Sequence, residues 1–150
     1  MACPYFFPTK RLAESAWPKH PRLPLGDPYN GICRADPMHE QMPGVETLRD
    51  CCNIGHAGKR CSHFPKKHHG PDAIRYSVVD DTADLIRIFY VAERAHGTAE
   101  HGTIEFETAS GLFRDGPAGE TLEKQARAYV ESYLRRKTEP DEKSHSPHRR

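Results

Sequence analysis

The sequence predicts an α+β chain: an irregular, cysteine-rich N-terminal half packed on a three-stranded antiparallel meander with one C-terminal amphipathic helix. Three observations carry that expectation. Nine of the 13 prolines and all five cysteines fall within residues 1–70. Three apolar/polar alternations follow between residues 74 and 108. One apolar stripe of helical period comes after them.

Residues 1–70 come first in the chain. Proline lacks an N–H and fixes φ, and four prolines crowd into 18–28, so helix interiors and strand ladders are blocked and loop is expected. The large side chains Tyr5, Phe6, Phe7, Trp17 and Tyr29 recur without a period. Such a segment calls for a staple rather than a core of its own. Only GVETLRDCC reads as a short helix, with Val45, Leu48 and Cys52 on one inward face and Cys51 about 100° round from Cys52.

Residues 71–136 read differently. Ile74, Tyr76 and Val78 alternate with Arg75, Ser77 and Val79; Ile86, Ile88 and Tyr90 alternate with Arg87, Phe89 and Val91; Ile104 and Phe106 alternate with Glu105 and Glu107. Turn-rich DDTAD and RAHGTAEHG separate these runs, which makes a meander. Asp115-Gly116-Pro117 signals a helix start, and Leu122, Ala126, Tyr129, Val130, Tyr133 and Leu134 form the stripe that should cover the Ile/Tyr/Phe face. Leu85, Phe89 and Val91 lie on the other face, where the cysteine-bearing half is expected to dock. Residues 137–150 have no apolar side chain besides proline and read as a disordered tail.

Charge divides along the same lines. Residues 1–70 carry ten Lys/Arg against six Asp/Glu, and residues 71–136 carry eight against twelve, so the two halves either attract each other or meet different partners, the first needing no further assumption. No run approaches a membrane span or a signal peptide. The expected compartment is the cytoplasm, where thiols stay reduced, and an odd cysteine count suits a disulfide framework poorly.

Cys3, Cys33, Cys52 and Cys61 are spaced C-x29-C-x18-C-x8-C, with Cys51 left over. Four thiolates suit zinc or an iron–sulfur cluster. Structural zinc sites use close cysteine pairs on a tight turn, and this chain has no pair two to four residues apart. A four-iron cube accepts ligands from well-separated loops. Pro4, Tyr5, Phe6 and Phe7 beside Cys3, and Phe64-Pro65 beyond Cys61, would keep water from its sulfides. The glycines of NIGHAGKRC let backbone N–H groups turn toward sulfur.

At motif level the spacing resembles the widely spaced four-cysteine [4Fe–4S] sites of certain nucleases, helicases, primases and uracil-DNA glycosylases. The resemblance covers residues 3–61 and reaches none of those families' catalytic motifs. The second half of the chain resembles small uncharacterised bacterial proteins that carry the same cysteine arrangement, a likeness that implies no activity.

Three functions follow as expectations. The first is a small [4Fe–4S] protein whose cluster, on Cys3, Cys33, Cys52 and Cys61, is structural or passes electrons to a redox partner. The second is a zinc-stapled module, with His63 or His56 as a rival ligand, touching nucleic acid through Lys59, Arg60, Lys66, Lys67, His68 and His69. The third is an enzyme with a cysteine nucleophile, Cys61 beside His63 or Cys52 beside His56; a third group to complete that device is missing from the pattern, so no catalytic residue is assigned.

Overall fold

The computed structural model describes residues 1–13, 16–17, 23–36, 38–58, 60–65, 70–114 and 119–138 of the 150-residue chain. Lys59, residues 66–69, the Asp115–Pro117 start signal and residues 139–150 of the expected tail lie outside the described residues.

Among the described residues the chain is α+β, with two antiparallel sheets and two helices rather than one three-stranded meander. The expected loop half holds a two-stranded sheet, β1 (Phe6–Arg11) paired with β2 (Tyr29–Cys33), Phe6 opposite Cys33. Proline density concealed it. Pro8 is accommodated because the register slips between Pro8 and Lys10, and a bulge tolerates a residue without an N–H. Gly31 faces it. A Cβ there would lie 2.3 Å from the Phe7 carbonyl oxygen and 2.9 Å from Pro8 Cα, so the two backbones meet only because residue 31 has no side chain.

Helix α1 (Val45–Thr47) winds directly into a π-helical turn, Leu48–Cys52, closed by Asn53 N–H to Leu48 O at 3.1 Å. The wider turn overrides the α-helical wheel. Val45 is 67% exposed, whereas Cys51 and Cys52 are each 6% exposed and both face inward.

The second sheet runs β3 (Ala73–Asp81), β4 (Leu85–Arg94), β5 (Gly97–Glu107), β6 (Leu112–Arg114) in sequential order. The fourth strand is three residues long, too short to show alternation, and its Phe113 meets Phe106 edge-on at 5.2 Å. Ile88 stands opposite Ile104 and Ile86 opposite Phe106, all buried. Helix α2 (Glu120–Thr138) places Ala126 and Val130 in the same core.

The cysteine-bearing half joins α2 and the β3 edge; of the face expected to receive it, Val91 is buried. Ala2 and Ile74 exchange backbone hydrogen bonds at 2.6 and 2.9 Å. The Tyr29 hydroxyl donates to Ala128 O at 2.8 Å and lies 2.6 Å from Ser132 Oγ. Buried Asp27 receives Arg135 at 2.6 Å. Leu85 and Phe89 stay half-buried, and beside them Arg87 pairs with Glu105 at 3.0 Å and Arg114 with Glu107 at 3.0 Å.

Burial also corrects the idea that the N-terminal half lacks a core. Phe6, Trp17, Leu25 and Tyr29 are buried in one cluster with Ile74, Ile86 and Val130. Aperiodic spacing concealed this because the side chains converge through loops rather than along one face. Apolar burial therefore contributes to ordering that half.

Candidate metal centre

All five cysteines line one cavity. They arrive from four segments: Cys3 before β1, Cys33 at the end of β2, Cys51 and Cys52 on the π-helical turn, and Cys61 in the loop that follows. Cys3, Cys51 and Cys52 are buried, and Cys33 and Cys61 are half-buried. None is in a disulfide.

Backbone bonds lock these segments together. Cys3 N–H donates to Cys52 O at 3.1 Å, and Cys33 exchanges hydrogen bonds with Gln41 at 2.7 and 3.2 Å. Asn53, fully buried, accepts Tyr29 N–H at 3.0 Å and donates to Tyr29 O at 3.0 Å and Leu48 O at 2.9 Å, tying the π-helical turn to β2. Cys61 N–H donates to Ala57 O at 2.8 Å. The Arg60 guanidinium clamps this loop, donating to Asp50 O at 2.7 Å and Gly55 O at 2.8 Å. Gln125 of α2 donates to Cys3 O and Phe6 O, both at 2.7 Å, and accepts the Tyr76 hydroxyl at 2.9 Å.

The walls are apolar and aromatic. Phe6 and Phe64 line the cavity, and Tyr5 packs edge-on against Phe64 with ring centres 5.4 Å apart. Neither a carboxylate nor a Lys or Arg side chain is among the described residues that line it.

Burial pushes the Cys3 thiol up to about 12, with Cys33, Cys61 and Cys51 adding repulsion. Cys52 rises further for the same reasons, and burial raises Cys33 and Cys51 as well. Thiols held protonated in this way are poor nucleophiles, and a cation is what would ionise them. Two backbone groups already favour the thiolate: Tyr5 N–H points at the Cys3 sulfur and Ala35 N–H at the Cys33 sulfur. A hydrogen bond between the Cys51 and Cys61 side chains adds slightly to the rise at Cys51.

The expected ligands Cys3, Cys33, Cys52 and Cys61 thus share a cavity, and Cys51 shares it with them. The spacing of the sulfurs bears on the occupant. A zinc tetrahedron with Zn–S near 2.3 Å needs sulfurs about 3.8 Å apart. Among the described residues the cysteines make no group of three within 4.8 Å of one another. Thiols as a donor set suit soft metals.

The histidines separate. His63 lines the cavity with its ring exposed, but His56 stacks on His96 instead, ring centres 5.3 Å apart. Sequence reasoning missed Asn53, Arg60 as a clamp, and Gln125. Only Gln125 left a signal, a polar residue three positions after Leu122 and four before Tyr129, inside the apolar stripe.

No protein family, curated protein or solved structure matches the chain. Among the described residues, no helix is long and apolar enough to cross a membrane.

Proposed function

We propose that the chain is an iron–sulfur protein that holds a [4Fe–4S] cluster on Cys3, Cys33, Cys52 and Cys61. The observation that carries this reading is five thiols from four separate segments lining one aromatic-walled cavity without a carboxylate among its described residues. Four thiolates complete the ligand set of such a cluster, and apolar walls with N–H groups aimed at sulfur tune its potential. Cys33 and Cys61 lie nearest solvent, so an electron passing to a partner protein would leave on their side. With its fold ordered by apolar packing as well, the protein uses the cluster for electron transfer rather than as its sole staple.

Anaerobic purification tests this. Brown protein with equimolar iron and acid-labile sulfide, whose visible absorbance bleaches with dithionite, is the expected result. Colourless protein with one zinc and no sulfide would establish the zinc-stapled alternative and overturn the cluster.

A further inference from the structure

A second group of ligating side chains sits away from the cysteine cavity. His56, Glu93 and His96 each offer a donor atom, and these atoms all lie within 4.8 Å of one another. None of the three lines the cavity. His56 Nε2 stands 3.5 Å from Glu93 Oε1, close to the ligand separation around a four-coordinate ion with bonds of about 2.1 Å.

The backbone is bent to bring them together. Arg94 pairs with Gly97, leaving Ala95 and His96 as a two-residue turn with φ of 51° and 66°. Such a turn prefers Asn-Gly, and a histidine at its second position pays backbone strain that glycine would avoid. His56, following Gly55, also has a positive φ of 52°. The hairpin end is braced from outside, since Asp72 accepts Ala95 N–H at 2.7 Å and donates its own N–H to Glu93 O at 2.6 Å. Met1 Sδ lies 3.3 Å from His56 Nε2 and covers one side of the group.

We propose that His56, Glu93 and His96 bind a divalent transition ion of the zinc class, with a fourth position open to water. Two imidazoles and one carboxylate suit zinc, nickel or iron(II) far better than magnesium or calcium, which demand oxygen. The ion would join the loop between Cys52 and Cys61 to the β4–β5 turn. The proposal is independent of the cluster, because it uses none of the cysteines.

Zinc titration of anaerobically purified protein, with its cysteine-bound metal in place, tests the site. One further zinc per chain is expected, with a thermal midpoint that rises as zinc is added. In His96→Gly the extra zinc should bind more than tenfold more weakly, with cysteine-bound metal unchanged. Glycine suits the turn, so the zinc-free midpoint should hold or rise, which separates ligand loss from unfolding. Cobalt(II) is the second probe: bound here it gives weak ligand-field bands without thiolate charge transfer. Equal zinc binding by wild type and His96→Gly, no extra zinc at all, or a strong thiolate–cobalt band from the added ion would each overturn the proposal.

Discussion

Gln125 Nε2 donates to the carbonyl of Cys3 at 2.7 Å, so a fully buried amide on the last helix fixes the first cysteine of the chain. The same amide holds Phe6 O and accepts the Tyr76 hydroxyl, joining α2, β1 and β3 at one point. Gln125→Met would leave two carbonyls without that donor and a phenol without that acceptor. Cys3 O keeps the Phe6 N–H at 3.1 Å, so the change should cost about 2–6 kcal/mol, the other two buried groups each costing about 1–3 kcal/mol when left unmatched. Urea unfolding measures it, and an unchanged midpoint would show that the hub carries no stability.

Single replacements of the cysteines separate ligands from bystander. Cys3→Ser, Cys33→Ser, Cys52→Ser and Cys61→Ser should each lose iron and sulfide, while Cys51→Ala keeps both. If Cys51→Ala strips the metal and Cys52→Ser does not, the ligand lies one residue earlier on the π-helical turn. Iron and sulfide content per chain decides between them.

Gly31→Ala should be costly although the change is one methyl group. Its Cβ would sit 2.3 Å from Phe7 O, and backbone cannot step aside as a flexible side chain can. Overpacking of this kind costs about 1–3 kcal/mol. Because β2 ends at Cys33, metal content should fall with stability. A variant as stable as the parent would mean that the β1–β2 pair has room the structure does not show.

Acid should weaken the fold through its paired carboxylates. Lys137 at 2.8 Å and Tyr133 at 2.5 Å hold Asp81 below the usual carboxylate range, and Arg114 and Ser110 do the same for Glu107. A carboxyl whose folded value is depressed stabilises fully above its unfolded value. That contribution is lost as pH falls below about 4. Thermal midpoints should therefore decline on acidification, and Asp81→Asn should show a shallower decline. Equal slopes would remove Asp81 from the account.

Sequence patterning made the strands β3–β5 and the α2 stripe legible, because each element turns one apolar face to the core and repeats with its own period. That Ile88, Ile104 and Ala126 are core residues follows from that periodicity, whereas the pairing of Ile88 with Ile104 does not. β1 and β2 were hidden because Pro8 and Gly31 read as breakers, and only their mutual placement makes them compatible. Cys51 and Cys52 could not be ranked by an α-helical wheel, because the turn that carries them has a longer period. Asn53, three hydrogen bonds from Tyr29 and Leu48, carries no local pattern, since its main partner lies 24 residues back. The His56–Glu93–His96 group joins a loop to a distant hairpin and is visible only in three dimensions.

The bond from Gln125 to Cys3 spans 122 residues, which sets an order of events at the ribosome. At about 5–20 residues per second, the first thiol emerges roughly 6–24 s before the side chain that pins its backbone. Through that interval the nascent thiols are without the contact that fixes the first of them. Slowing synthesis between the two codons should lengthen that window, and for the proposed cluster the iron and sulfide recovered per chain would register the change.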